Sequence, residues 1–428
     1  MSGDPQSRVI HVPRRFTAGE WGGTETVILE IARRQKLAGG NPEIFTSMAL
    51  DPRPEEVLAG VPIRRFPYCY PFFGLDAAAR AAMDKKGGNL LSLSLFRSLL
   101  TQKNVRLYHA HALKRLGGEV RTAARWRKKP FVVSLHGGVF DVPAEELGKL
   151  IEPIAGKVEW GKLFGAFFGS RRILEDADQV ICVGQSEMEK ARAELSHERV
   201  AYLPNGVDFA KFATGDGAAF RRRHRIAENT FLVLGVGRID AQKNQLLLVD
   251  AFARFRARQP NAALILLGPE TQPDYAARIR DAIAAHNLGD CVSLLPGLRN
   301  DDPDLVNAYH ACNVFVLPSM HEPFGIVVLE AWSAGRPVIV NHVGGLKALV
   351  RHSQNGLFIN PTAGGTASEL AAQLGQLATN PLLARALAKA GRDEAFSRYD
   401  WSRIAKELER HYDAAEEHAR RRYGRSAS

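Results

Sequence analysis

The stretch Val314-Phe-Val-Leu-Pro-Ser-Met-His-Glu-Pro-Phe-Gly-Ile-Val-Val-Leu-Glu-Ala-Trp-Ser-Ala-Gly335 decides the fold class. Its first four residues are apolar without polar alternation, the pattern of a strand covered on both faces. Pro318 and Ser319 end that run, Gly325 punctuates the loop, and an apolar segment of helical length follows until Gly335 stops it. A doubly covered strand leading straight into a helix is the repeating unit of a parallel sheet.

Outward from this segment the same alternation recurs. Strands are expected at 231–236, 263–267, 292–294 and 337–340, with helices at 245–258, 305–311 and 325–334. In the first half the strands are expected at 9–12, 43–47, 105–109, 131–136 and 179–183, and a helix at 24–37 is closed by Gly39 and Gly40. Ser186 with Glu189 reads as a capping box opening another helix. Leu203-Pro-Asn-Gly-Val-Asp208 breaks regular structure between the halves and is taken as the hinge. The chain is therefore expected to be α/β, with two doubly wound Rossmann-like domains facing a central cleft. Their bounds are 1–205 and 206–395, and a helical segment at 396–428 is expected to pack back on the first domain, with a frayed basic tail at 420–425.

A length of 428 residues suits two cores better than one, and 45% hydrophobic with 24% charged residues excludes long disorder and fibrous repeats. Cys69, Cys182, Cys291 and Cys312 lack paired metal-ligand or redox spacing, so neither zinc nor a disulfide framework is expected. The first residues lack the basic start and apolar core of a secretion signal, and the apolar stretch at 90–100 is too short to span a bilayer. A cytoplasmic protein is expected. The net charge of +11 favours anionic partners. The basic clusters at 125–129 and 221–225 accompany no nucleic-acid module and are read as solvated faces, so nucleic acid is not an expected partner, whereas peripheral contact with the anionic inner face of a membrane is compatible.

The strand ends carry the candidate chemistry. Peptide N–H groups at the start of the helix after Gly325, from Phe324 through Ile326 to Val327, are unpaired and partially positive, so they suit a diphosphate, and Gly325 permits close approach. Glu322 lies in the loop and Glu330 within the helix, eight positions on. From Gly325 to Glu330 is about 7.5 Å along a helix axis, so one nucleotide can span both, with its ribose hydroxyls on Glu330 and the transferred sugar near Glu322. Arg238 and Lys243 follow the strand at 231–236 and can neutralise a diphosphate leaving group. Gly22 and Gly23, between the first strand and its helix, can admit donor phosphate or acceptor, although the same pair also suits an ordinary tight turn. His136 follows a strand and is expected to project into the cleft. His109 and His111 read as core or supporting residues, and Asp302-Pro-Asp304 as a helix start rather than a metal site.

Together these residues resemble glycosyltransferase family 4, a retaining family with the GT-B fold. The resemblance rests on Pro204-Asn-Gly-Val-Asp208, Gly237-Arg238 with Lys243, Glu322-Pro-Phe-Gly325 with Glu330, Gly335-Arg-Pro-Val338 and Val343-Gly-Gly345, and more loosely on Gly22-Gly23, His109-Ala-His111, His136-Gly137 and Tyr399-Asp-Trp401. It implies an acceptor-side first domain and a second domain that binds a nucleotide-sugar donor. Arg238 and Lys243 would hold the diphosphate, Glu330 the ribose, and Glu322 and His136 the transferred hexose, making Glu322, His136, Arg238 and Lys243 the catalytic set. The implied partners are a nucleoside-diphosphate sugar and a glycan or lipid-linked saccharide acceptor, with no metal cofactor. Residues 139–170, with Trp160, Phe164, Phe167 and Phe168, are less typical and form either an acceptor lip or interdomain packing. Alternatives on the same fold are a nucleotide-sugar epimerase, a phosphorylase-like enzyme and a non-catalytic nucleotide-sugar-binding scaffold. A scaffold would be expected to lack Glu322, Arg238 or Lys243, and all three are present.

Overall fold

The computed structural model describes residues 7–17, 19, 21–85, 87–137, 154–360 and 366–424. It divides into two compact units, one formed by 1–204 with 402–428 and the other by 205–401.

The first unit is built on strands β1 (Arg8–Val12), β2 (Asn41–Ser47), β3 (Glu55–Leu58), β4 (Val61–Phe66), β5 (Val105–Ala110), β6 (Phe131–Leu135), β7 (Gln179–Cys182) and β8 (Val200–Tyr202), in the order β3-β4-β2-β1-β5-β6-β7-β8. Every neighbour pair is parallel except the hairpin of β3 with β4. The order reverses between β1 and β5, whose register pairs His11 with His109. The helix Trp401–Gly424 completes this unit. Within this unit its buried positions Ile404, Ala405, Leu408, Tyr412, Ala415 and Ala419 recur mostly at spacings of three and four, so one stripe enters the core while charged residues cover the rest.

The second unit carries β9 (Phe231–Val236), β10 (Ala262–Leu267), β11 (Val292–Leu295), β12 (Val314–Leu317), β13 (Val338–Asn341) and β14 (Leu357–Ile359), in the order β11-β10-β9-β12-β13-β14. All pairs are parallel, and the order reverses between β9 and β12. β12 is buried throughout because helices cover both faces. Full burial of a side chain such as Phe315 contributes about 1.5–3 kcal/mol. At such a reversal the loops leaving neighbouring strands splay to opposite faces and open a crevice at the carboxyl ends.

The structure departs from the expected pattern at several places. The helix Gln185–Glu194 is capped by Gly184, so Ser186 lies within its first turn and forms no capping box with Glu189. The basic end of the chain is helical through Gly424 rather than frayed, because Arg422 bonds the Asp176 carbonyl at 2.9 Å and pairs with buried Asp178 at 3.0 Å. The basic clusters are not simply solvated. Arg221 bonds the carbonyls of Ala311, Ala227 and Thr230, and Arg127 reaches the Leu99 carbonyl and the Tyr108 hydroxyl. Phe168 is neither lip nor interdomain packing but core of the first unit, 4.9 Å from Phe96 between ring centres. Residues 139–153 of that stretch lie outside the described residues.

Candidate active site

In the second unit the loops that leave β9 and β12 meet at the reversal of strand order. Met320 N–H donates to the Gln242 carbonyl at 2.8 Å, and Gln242 Nε2 donates to the His321 carbonyl at 3.1 Å. Lys243 Nζ then closes on Glu322 Oε2 at 2.6 Å. Lys243 is aimed by its own loop, where Asp240 accepts from its backbone N–H at 3.1 Å. Arg238 pairs with Asp240 at 3.2 Å and keeps 46% of its side chain exposed, so its fork remains available to an anion.

The glutamate loop is seated on a third loop, after β13. Asn341 Nδ2 donates to the Pro318 and Ser319 carbonyls at 2.7 and 3.0 Å, and Gly345 N–H donates to the Glu322 carbonyl at 2.8 Å. A Cβ on Gly344 would stand 2.3 Å from the Glu322 carbonyl oxygen, so this approach requires a glycine. Gly325 begins the helix Ile326–Ser333 at φ +97°, a left-handed conformation, and no side chain caps that helix start. Its first N–H groups are therefore left to a ligand or solvent.

Glu330 is buried on the same helix, and its Oε2 accepts from the Tyr309 hydroxyl at 2.6 Å. Burial raises the Glu330 carboxyl above its ordinary range, while Tyr309 and then Lys211 act in the opposite direction. Tyr309 and Lys211 are supporting residues that sequence reading did not single out. Tyr309 lies one turn after Leu305 on the helix Pro303–Ala311, and only its helical position could have suggested it. Asp302 caps that helix by accepting from Asp304 N–H at 2.9 Å.

In the first unit Gly22 caps the helix Gly23–Leu37 in extended backbone that any residue adopts, so its lack of a Cβ matters for space rather than conformation. Ala18 and Glu20 of the same loop, and Gly138 after His136, lie outside the described residues. His136 stands at the carboxyl end of β6, where its Nε2 lies 2.9 Å from His111 Nδ1 and its own Nδ1 is buried with no partner among the described residues. Thus Arg238, Lys243, Glu322, Phe324, Gly325, Ile326, Val327 and Glu330 belong to the second unit, and Gly22, Gly23 and His136 to the first. Sequence reading missed His11, although a histidine inside the apolar strand Val9-Ile-His-Val12, in register with another on β5, was a signal.

Residues 21–211 match the family model "Glycosyltransferase Family 4", and residues 216–394 match "Glycosyl transferases group 1". The D-inositol 3-phosphate glycosyltransferase of Salinispora tropica is 30% identical over 415 residues, covering 91% of this chain and 80% of the relative. The chain belongs to glycosyltransferase family 4. A second family member of the same name, from Geodermatophilus obscurus, is 27% identical over 94% of this chain and 86% of its own.

Solved structures agree on the GT-B fold. Anabaena HepE in complex with UDP and glucose superposes with a TM-score of 0.70 at 20% identity, covering 95% of this chain and 99% of that one. Sucrose-phosphate synthase from Thermosynechococcus elongatus gives 0.72 at 22% identity, covering 95% and 98%. This family 4 glycosyltransferase thus has two parallel-sheet Rossmann-like domains. No helix among the described residues is long and apolar enough to cross a membrane.

Proposed function

We propose that this glycosyltransferase moves a hexosyl-type sugar from a nucleoside-diphosphate donor to a glycan or lipid-linked acceptor, with retention of anomeric configuration. The observation that carries the reading is the Lys243–Glu322 pair at 2.6 Å, which sets a cation for a diphosphate beside a carboxylate for a sugar at the strand reversal. UDP and UDP-glucose in crystals of the structural neighbour HepE support a nucleotide-sugar donor.

On this reading Arg238, Lys243 and the N–H groups from Phe324 to Val327 stabilise the departing diphosphate. Glu330 accepts the ribose hydroxyls, Glu322 and His136 contact the hexose, and Gly22 and Gly23 leave room for donor phosphate or acceptor. Transfer on the face the leaving group vacates asks the protein mainly for positioning and a fixed field. That field makes a divalent metal unnecessary, so turnover should persist in EDTA. The relatives named D-inositol 3-phosphate glycosyltransferase favour a second reading of the acceptor, a phosphorylated cyclitol.

An assay of UDP-, GDP- and ADP-sugars against lipid-linked saccharide and inositol 3-phosphate acceptors tests both readings. Proton NMR of the fresh product gives its anomeric configuration. An inverted product would remove retention, turnover of donor without acceptor to an epimer would favour the epimerase, and binding without turnover would favour a scaffold.

A further inference from the structure

The first unit holds a line of imidazoles, buried at His11 and half-buried at His111 and His136, that ends at His136. His136 Nε2 lies 2.9 Å from His111 Nδ1, His111 Nε2 lies 3.0 Å from His11 Nδ1, and His11 Nε2 lies 2.9 Å from Gln35 Oε1. Gln35 Nε2 donates to Glu409 Oε1 at 3.0 Å, and the other oxygen of Glu409 accepts from Arg106 Nη1 at 2.6 Å. Arg106, on β5, also grips Asp413 and Glu416, so the helix Trp401–Gly424 that carries Glu409 is fixed in place.

One arrangement of protons satisfies every link. A carboxylate held by arginine only accepts, so the Gln35 amide turns its NH₂ group to Glu409 and its oxygen to His11. His11 then carries its proton on Nε2 and accepts at Nδ1 from His111 Nε2–H. His111 accepts at its own Nδ1 from His136 Nε2–H, which leaves His136 with a bare Nδ1. Burial keeps the line neutral, holding His11 and His136 down to about 4 and His111 well below its ordinary value.

His11, His109 and His111 also lie close enough to hold a metal ion, their ligand atoms within 4.8 Å of one another. Both nitrogens of His11 are engaged in the line, however, and both of His109 are taken by Tyr412 and Ser134 at 2.7 Å each. Hydrogen bonding accounts for the cluster without an ion.

We propose that Gln35 and Glu409 are positioning residues which, through His11 and His111, lock His136 in the tautomer whose Nδ1 accepts a hydrogen bond. His136 can then take a hydrogen bond from a sugar hydroxyl and cannot donate one from that atom. The sugar as its target rests on the proposed function; the tautomer does not.

Nitrogen-15 NMR of the histidine-labelled full chain without donor, with the His136 signals assigned by their loss in His136→Gln, reads the tautomer directly. A pyridine-type Nδ1 and a pyrrole-type Nε2 are expected. Gln35→Leu should populate the other tautomer and lower kcat about tenfold, while affinity for UDP, GDP or ADP changes less than about twofold. In the paired variant Gln35→Glu/Glu409→Gln the new carboxylate accepts from His11 and from the new amide, which should restore the tautomer and most of the rate. A proton on His136 Nδ1 in the wild type, an unchanged tautomer in Gln35→Leu, or a stoichiometric metal in the purified chain would overturn the assignment. An inactive chain with the expected tautomer would sink the transferase reading alone.

Discussion

Lys243 Nζ and Glu322 Oε2 lie 2.6 Å apart, joining the loops after β9 and β12 where the strand order of the second unit reverses. With side-chain exposures of 16% and 10%, neither partner is well hydrated, so losing one leaves the other uncompensated. Lys243→Met should lower the Tm by roughly 3–6 °C, and adding Glu322→Gln should recover at least about half of that. Thermal melts of the wild type, both single variants and the double variant check this. Additive losses would show that the pair is not coupled.

Glu330 and Tyr309 give a pH prediction. On the proposed assignment the Glu330 carboxylate accepts the ribose hydroxyls in its ionised form, and burial raises its pKa, so nucleoside-diphosphate affinity should fall as pH drops through that raised value. The Tyr309 hydroxyl works against the rise, so Tyr309→Phe should move the loss to higher pH. Calorimetry of both proteins between about pH 5.5 and 8.5 reads the difference, and the ligand's own titration cancels in the comparison. Superimposable profiles would separate Tyr309 from nucleotide binding.

Glu119 is buried beside Ser92 in the first unit, and desolvation raises its carboxyl to about 8. The unfolded chain ionises near the ordinary 4.5 while the folded chain keeps its proton, so this group's contribution is full below about pH 4.5 and is lost as pH rises to about 8. Glutamine keeps the acceptor that Ser92 N–H uses at 2.8 Å and does not titrate. Glu119→Gln should therefore raise the Tm relative to wild type more at about pH 8 than at about pH 5. An equal difference at both would contradict burial as the cause.

Strands with unbroken apolar runs were readable, whereas the alternating strand β4, edge strands such as β3 and β14, and the side-chain contacts were not. β9 and β12 have the expected bounds because their residues are apolar on both faces. β3, Glu55-Glu-Val-Leu58, went unread because it lies at a sheet edge with Glu55 and Val57 exposed, and β14 because it has only three residues. Ser186 matched a capping box in spacing, yet Gly184 takes the cap because the helix starts two residues earlier. At the site, Glu322, Lys243 and Arg238 were legible from their place at strand ends. Their ion pairs were not, since spacing along the chain says nothing of which side chains meet. Gln35 and Glu409 were invisible for the same reason, being 374 positions apart and joined only through the final helix.

In the proposed function Glu330 holds the unreacting ribose and Glu322 the sugar whose charge develops during transfer. A ribose contact is much the same before and during reaction, whereas a contact with the reacting sugar strengthens. Titrating nucleoside diphosphate into Glu330→Ala and Glu322→Ala by calorimetry, with circular dichroism confirming that both are folded, tests this most directly. Affinity should fall markedly in Glu330→Ala and only slightly in Glu322→Ala, whose kcat should instead fall by roughly 10²-fold. Lost nucleoside-diphosphate affinity in Glu322→Ala with affinity retained in Glu330→Ala would contradict it.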